Sequence, residues 1–320
     1  MSDITPQLQT LFSDRLKQNE PLSKHTNFRL GGPARWFVEA KSAEEIGAAV
    51  KLAEDNGVKW FVMGGGSNIL ASDAGFDGLV IQVSMREYKI EGSTVVAEAG
   101  VMTGSLARAT VEAGLEGLEW SVTVPGTIGG AVRGNAGCYG GEMKDVVKKV
   151  QVLRGGQVLD LSLDDLKFAY RESLIKHSKD IILSVSFELR PGDSESLKQK
   201  IEEQIRKRKA SQPFYAGSAG CIFKNYEIKK DELDRLKKES DIPEEMIAKG
   251  QISTGWLVDQ MDLKGKQIDG VKISDEHGNF IINLGNGRAS DVVQLISIIK
   301  MQARDRFGLA LEEEVEYLGF

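Results

Sequence analysis

The residues of this chain with the clearest capacity for chemistry are glycines. Residues 60–63, Trp-Phe-Val-Met, read as a short buried strand that runs straight into Gly64-Gly65-Gly66-Ser67-Asn68. Three successive residues without a Cβ let backbone N–H groups approach phosphate oxygens closely, and Ser67 and Asn68 add side-chain donors, so the stretch reads as an anion cradle. A lone glycine triplet is more often a plain tight turn. The Rossmann spacing is absent because Ile69 stands where its third glycine would, and no Gly-Lys-Ser/Thr ending makes a P-loop. About sixty residues further on, Pro125-Gly126-Thr127-Ile128-Gly129-Gly130 and Asn135-Ala136-Gly137 form a second glycine-rich region. Two such loops facing each other could hold an extended pyrophosphate from both sides.

Composition narrows the chemistry further. Only Cys138 and Cys221 occur, so neither a disulfide framework nor paired zinc ligands are expected, and no metal site is expected. The net charge of −6 and pI near 5.4 argue against a basic face that tracks nucleic acid. No stretch is apolar for the length that spans a bilayer, and the charged start lacks a signal-peptide core. A soluble, cytosolic protein with no membrane partner is expected.

The elements that must position these loops follow from periodicity. Ser42 with Glu45 three residues on reads as a capping box, and Ile46, Ala49, Val50 and Ala53 recur at helical spacing until Gly57. Strands are expected at 79–83 and 94–97, flanking the Glu91-Gly92-Ser93 turn, and a helix at 103–113. The second glycine region is too dense in glycine for a regular helix interior. Residues 150–153 and 158–161 around Gly155-Gly156 read as a hairpin, and 180–189 as an apolar strand. A charged helix at 197–209 follows the break at Pro191-Gly192, where a domain boundary is placed. Beyond it, helices at 231–238 and 289–304, strands around 271–282 and a closing strand at 311–318 are expected. At 320 residues two or three packed units are anticipated.

Taken together, residues 25–34 (His-Thr-Asn-Phe-Arg-Leu-Gly-Gly-Pro-Ala), 63–70 and 125–141 resemble the flavin-binding region of UDP-N-acetylenolpyruvylglucosamine reductases. The resemblance continues through Tyr170-Arg171-Glu172-Ser173, residues 217–225, residues 255–260, Leu263-Lys264-Gly265 and Glu314-Val315, and covers about 21–319. It implies an α+β protein: a bipartite FAD-binding domain of the vanillyl-alcohol-oxidase (PCMH) type followed by an α+β substrate-binding domain. The implied division is an N-terminal extension at 1–20, an FAD domain at 21–190 in two parts (about 21–83 and 84–190), and a substrate domain at 195–320 whose last strand returns to the flavin.

The reaction implied is reduction of UDP-N-acetylglucosamine enolpyruvate to UDP-N-acetylmuramate. NADPH reduces non-covalent FAD, hydride passes to the enolpyruvyl C3, and an enzyme acid protonates C2. Carried over residue by residue, the cofactor positions are Gly64, Gly65, Gly66, Ser67, Asn68, Pro125, Gly126, Ile128, Gly129, Gly130, Asn135 and Gly137. The catalytic positions are Arg171, Glu314 and Cys221, the last where the family usually has serine. A guanidinium fork suits a carboxylate or enolate oxygen, and a thiol is a better intrinsic acid than an alcohol. Ser218 is the fallback donor. Tyr170, Lys209, Asn225 and His277 match substrate positions, with Lys209 ending the basic run Arg206-Lys207-Arg208-Lys209.

Two departures touch substrate geometry: Tyr226 stands where proline is common and Asp262 where glycine is common. The short interval from Arg171 to Asp180 implies the subclass without a substrate-closing loop insertion, and a monomer is expected. Two other readings stay open. One is a different flavin oxidoreductase of the same fold, against which no histidine among His25, His177 and His277 lies in the glycine loops for covalent attachment. The other is a flavin- or nucleotide-binding relative without turnover.

Overall fold

The computed structural model describes residues 3–239 and 242–320. Two compact units interleave along the chain. The first takes the chain up to Glu20, Pro33–Gly66 and Phe76–Ala210; the second takes Pro21–Gly32, Ser67–Gly75 and Ser211–Phe320.

The first unit is built on two sheets. The strands Pro33–Ala40, Phe76–Val83 and Trp60–Met63 run parallel, with Phe76–Val83 in the middle and Met63 opposite Gln82. Both faces of a parallel sheet are covered, so its strands are near-continuous apolar runs: Trp36, Phe37, Val38, Leu79, Val80 and Ile81 are all buried. Trp36 is 1 % exposed and donates its indole N–H to the Thr5 hydroxyl at 2.8 Å, so truncating it to alanine would cost about 3–5 kcal/mol. The helix Ala43–Asp55 lays Ile46, Ala49 and Ala53 into this core and ends at Gly57, whose φ is +64°.

Its start is half the expected capping box. Ser42 accepts from the Glu45 N–H, but the Glu45 carboxylate instead takes the Lys41 N–H and a two-armed contact from Arg15 at 2.6 and 2.7 Å. Both carboxylate oxygens are thus engaged by charged Arg15, and the one backbone donor they also take is Lys41 rather than Ser42.

The second sheet is antiparallel, in the order Gln157–Ser162, Val147–Arg154, Ile181–Glu188, Thr94–Glu98, Tyr88–Glu91. The expected hairpin and apolar strand are its first three members. The helix Thr103–Glu112 follows, with Leu106, Ala107 and Val111 buried. The glycine-dense region corrects the sequence expectation, because Ile128–Arg133 is a short helix. Low helix propensity is overridden there by close packing: a Cβ on Gly129 would lie 2.9 Å from the Ala99 Cβ, so glycine is what admits the helix to its site. The charged helix runs Ser194–Ser211, longer at both ends than expected.

In the second unit the strands Gln267–Ile268, Val271–Ile273 and Ile281–Asn283 form an antiparallel meander. The helix Ala289–Phe307 buries Val292, Leu295, Ile296, Ile299 and Ala303 along one stripe. Its first N–H groups, Ala289 and Ser290, donate to the two Asp73 carboxylate oxygens at 2.8 and 2.9 Å, and Gly308 at φ +67° closes its end. The helix expected at 231–238 spans Leu233–Glu239.

The closing strand is shorter than expected. Only Glu316–Leu318 is strand, paired in parallel with Ile69–Ala71. The residues before it turn aside to pair with 222–224: Lys224 N–H donates to the Glu312 carbonyl at 2.9 Å, and Glu314 N–H to the Ile222 carbonyl at 2.8 Å. Asp262 adopts φ +54° at the end of the helix Thr254–Gln260, its N–H bonded to the Asp259 carbonyl. That left-handed turn is what a glycine would serve at this position, so Asp262 carries backbone strain that glycine would not.

Candidate functional site

In the first unit, strand Trp60–Met63 delivers Gly64 to Gly66 against the second glycine region. A Cβ on Gly64 would lie 2.3 Å from the Thr127 Oγ1, and one on Gly65 would lie 2.9 Å from the Gly126 Cα. The two loops therefore abut, backbone to backbone at Gly65 and against the Thr127 side chain at Gly64. Gln82 Nε2 donates to the Gly64 carbonyl at 3.3 Å, and the Thr103 N–H and hydroxyl both donate to the Gly126 carbonyl. Pro125 and Gly130 are exposed beside this seam.

Thr127, which the sequence pattern did not single out, carries a buried hydroxyl that makes no hydrogen bond. A buried polar group left unmade costs about 1–3 kcal/mol, so this one marks a place where an acceptor belongs. By contrast, the Ile128 and Gly129 N–H groups donate to the Val101 and Ala99 carbonyls, each at 2.9 Å, and thereby fix the loop.

Downstream, Gly137–Cys138 pairs with Gly141–Glu142 in a tight hairpin whose turn residues, Tyr139 and Gly140, have φ of +52° and +88°. Arg171 sits in a second tight turn, closed by reciprocal backbone bonds of 3.1 Å between Ala169 and Glu172. Its φ is +56°, and its guanidinium donates to the Gly137 carbonyl at 2.7 Å and lies 5.1 Å from the Tyr170 ring centroid. Asn135 is fully buried and bonded within the protein on both sides of its amide. Burial pushes the Cys138 thiol up against the opposing influence of Arg208 and Arg171. Lys209 is exposed, whereas Arg208 is half-buried and donates to the Thr123 hydroxyl at 2.9 Å.

The second unit gathers Cys221, Glu314, Asn225, His277, Ser67 and Asn68. Gly220 at φ +77° turns the chain into half-buried Cys221, which lies opposite Phe280. Asn279, another residue that the sequence pattern left unmarked, clamps Ile222 and Phe223. Its carbonyl accepts from the Ile222 N–H, its Oδ1 from the Phe223 N–H, and its Nδ2 donates to the Phe223 carbonyl at 2.8 Å. Glu314 is half-buried on the adjoining segment, tied to Ile222 through its own N–H. The Asn68 side chain donates to the Glu314 carbonyl at 2.9 Å, which gives it a part in holding that segment.

Lys224 is 7 % exposed and paired with Glu312, while its carbonyl accepts from the Thr254 hydroxyl at 2.6 Å. The neighbouring Asn225 accepts the Thr254 N–H at 3.2 Å. Ser218 is anchored by its N–H to the Asn27 carbonyl at 3.2 Å. His277 Nδ1 lies 3.3 Å from the Asn279 N–H and its ring meets Phe280 edge-on at 4.8 Å. The Tyr226 hydroxyl is held by both Glu232 oxygens at 2.8 Å, and its pKa is pushed up to about 12 by burial and by that carboxylate. Among the described residues no group of His, Cys, Asp and Glu is arranged to hold a metal ion, and no helix is long and apolar enough to cross a membrane.

Comparison with known proteins supplies a context for this geometry. Residues 212–318 match the family model described as "UDP-N-acetylenolpyruvoylglucosamine reductase, C-terminal domain", and residues 34–162 match that described as "FAD binding domain". The UDP-N-acetylenolpyruvoylglucosamine reductase of Alkaliphilus metalliredigens is 36 % identical over 94 % of this chain and 92 % of its own. That of Carboxydothermus hydrogenoformans is 37 % identical over 99 % and 98 %. The crystal structure of the Thermus caldophilus UDP-N-acetylenolpyruvylglucosamine reductase superposes with a TM-score of 0.77 at 32 % identity, over 95 % of this chain and 99 % of that one.

The expected α+β class and FAD-binding domain are both found. The residues present also fit FAD on the structure's own terms. Two abutting glycine backbones offer close approach, and the Thr127 hydroxyl at their seam lacks an acceptor that pyrophosphate oxygens can provide.

Proposed function

As a member of the UDP-N-acetylenolpyruvoylglucosamine reductase family, and so an FAD-dependent oxidoreductase of peptidoglycan precursor synthesis, this chain, we propose, converts UDP-N-acetylglucosamine enolpyruvate to UDP-N-acetylmuramate with NADPH as reductant. The observation that carries the reading is the joining of the Cys221 and Glu314 segments by the Glu314 N–H to Ile222 carbonyl bond of 2.8 Å, in a chain similar to such reductases along nearly its whole length.

The residues of the two glycine loops, Gly64 to Gly66 and Pro125 to Gly130, would hold the FAD pyrophosphate, with Thr127 donating at the seam. FAD held there would supply the two-electron hydride chemistry that links NADPH to the enolpyruvyl substrate. Hydride addition at C3 loads negative charge toward the substrate carboxylate, and Arg171 meets it with a guanidinium whose direction is already set by Gly137. Cys221 holds the proton that C2 receives: the S–H bond breaks as the C2–H bond forms, leaving a thiolate that solvent reprotonates. Glu314 steadies the enolate oxygen or carries that proton in turn.

Tyr170, Lys209, Asn225 and His277 serve the nucleotide sugar. Residues 21–190 form the FAD domain and 195–320 the substrate domain in this reading. The two nucleotide substrates and the net charge of −6 suit a monomeric, cytosolic enzyme that binds neither nucleic acid nor membrane.

The test is anaerobic. Protein reduced with one equivalent of NADPH is mixed with UDP-N-acetylglucosamine enolpyruvate while the visible flavin absorbance is followed. Rapid return of the oxidised spectrum with formation of UDP-N-acetylmuramate is expected. A flavin that NADPH bleaches and the enolpyruvyl nucleotide leaves bleached would end this reading.

A further inference from the structure

Arg171 stands in a conformation that an arginine does not choose. A φ of +56° costs a non-glycine residue about 1–2 kcal/mol, and such outliers persist only where the surroundings over-determine them. The structure shows what does so. The turn is closed by the reciprocal Ala169 and Glu172 bonds, and Lys176 reaches its far side, donating to the Arg171 carbonyl at 3.3 Å.

The near side is held by Asn135. Its Nδ2 donates to the Ala169 carbonyl at 2.9 Å and to Glu142 Oε2 at 3.0 Å, while its Oδ1 accepts the Lys144 N–H at 3.0 Å. Glu142 is paired with Gly137 in the hairpin, and Gly137 supplies the carbonyl that receives the Arg171 guanidinium. One amide therefore joins the backbone entering the Arg171 turn to the hairpin that orients the Arg171 head group. Asn135 is 0 % exposed, itself sits at φ +42°, and has both amide donors and its acceptor engaged inside the protein.

We propose that Asn135 is a positioning residue for Arg171 and not a ligand of the cofactor. The reading rests on the role given to Arg171 above. Loss of the amide would let the turn and the hairpin move independently, and misplacement by about 1 Å is enough to cost 10²-fold in a positioned reaction.

Two variants suit the test. Asn135→Gly removes the side chain while tolerating the positive φ, and Asn135→Asp keeps its shape while removing the donors to Ala169 and Glu142 and setting a second carboxylate against Glu142. Three quantities are read for each: the FAD dissociation constant by flavin fluorescence quenching, the rate of flavin reduction by NADPH, and the rate of reoxidation by the enolpyruvyl nucleotide. Both variants are expected to bind FAD within about threefold of the parent. Flavin reduction should be nearly unchanged, and reoxidation slower by about 10- to 100-fold.

In an Arg171→Ala background the same changes should slow reoxidation by less than about twofold, because the residue through which Asn135 acts is gone. FAD binding weakened by about tenfold or more in both variants would make Asn135 a cofactor residue and overturn the proposal. So would losses that simply add in the Arg171→Ala background. Parent-like reoxidation in Arg171→Ala alone has a different meaning: it removes the clamp itself, and the role of Asn135 with it.

Discussion

The Arg171 guanidinium and the Gly137 carbonyl oxygen lie 2.7 Å apart, joining a strained turn to the first strand of a hairpin with a two-residue turn. That bond fixes the direction of the guanidinium plane. Lysine cannot reproduce this, since a single ammonium carries no planar fork. Arg171→Lys is expected to slow reoxidation of the reduced flavin by about tenfold or more, close to the effect of removing a charge-assisted bond. A parent-like rate would rule out the clamp.

Cys221 separates the two half-reactions. Cys221→Ala should leave NADPH-driven flavin reduction nearly intact while slowing product formation by about 10²-fold or more, the general-acid range. Cys221→Ser should retain activity. Equal turnover in the alanine variant and the parent takes the thiol out of the mechanism.

Gly64→Ala places a methyl 2.3 Å from the Thr127 hydroxyl oxygen. The loops must part, and FAD affinity should fall by about tenfold or more. Thr127→Ala, which removes the hydroxyl proposed to donate at the seam, should weaken FAD on its own, whereas a hydroxyl without that role would leave the affinity unchanged. Titration of the apoprotein with FAD decides between these, and an unaffected single variant would mean that the loops do not abut.

Asp262 at φ +54° gives a stability order rather than an activity change. Asp262→Gly relieves the backbone and should gain up to about 1 kcal/mol, while Asp262→Ala should lose about 1–2 kcal/mol. Denaturant midpoints would rank Gly, Asp, Ala in descending order. An alanine variant as stable as the parent would remove the strain argument.

The hydrogen bonds from the Arg15 guanidinium hold the Glu45 carboxyl below its ordinary 4.5. A folded-state pKa below the unfolded one means that the stabilisation is full above the unfolded value and fades as pH falls through the folded one. Melting curves of Glu45→Gln and the parent should therefore differ at neutral pH, with the parent higher, and converge in acid. A gap that persists or widens as pH falls would contradict this sign.

Local pattern carried much of the architecture into the sequence. The helix Ala43–Asp55, the hairpin strands Val147–Arg154 and Gln157–Ser162, and the helix Ala289–Phe307 are legible from apolar spacing and turn residues, because the period of the buried face is written into the local sequence. Where distant partners decide, the pattern misled. Gly129 and Gly130 argued against a helix until the Ala99 contact supplied a reason for glycine. Residues 311–315 were expected to belong to the closing strand, yet Glu312 and Glu314 bond instead to Lys224 and Ile222 beside Cys221.

The amino-acid order by itself determined the family, through ordered blocks of residues spread along the chain, and the glycine positions at which backbone could meet phosphate. Only the tertiary structure decided what individual side chains do within those blocks. Asn68 and Asn135 stand in glycine-rich stretches, and only the fold shows that one amide reaches the Glu314 carbonyl 246 positions away and the other the Ala169 carbonyl 34 positions away. A hydrogen bond depends on distances of about 3 Å, and separation along the chain carries no information about them until the backbone has folded.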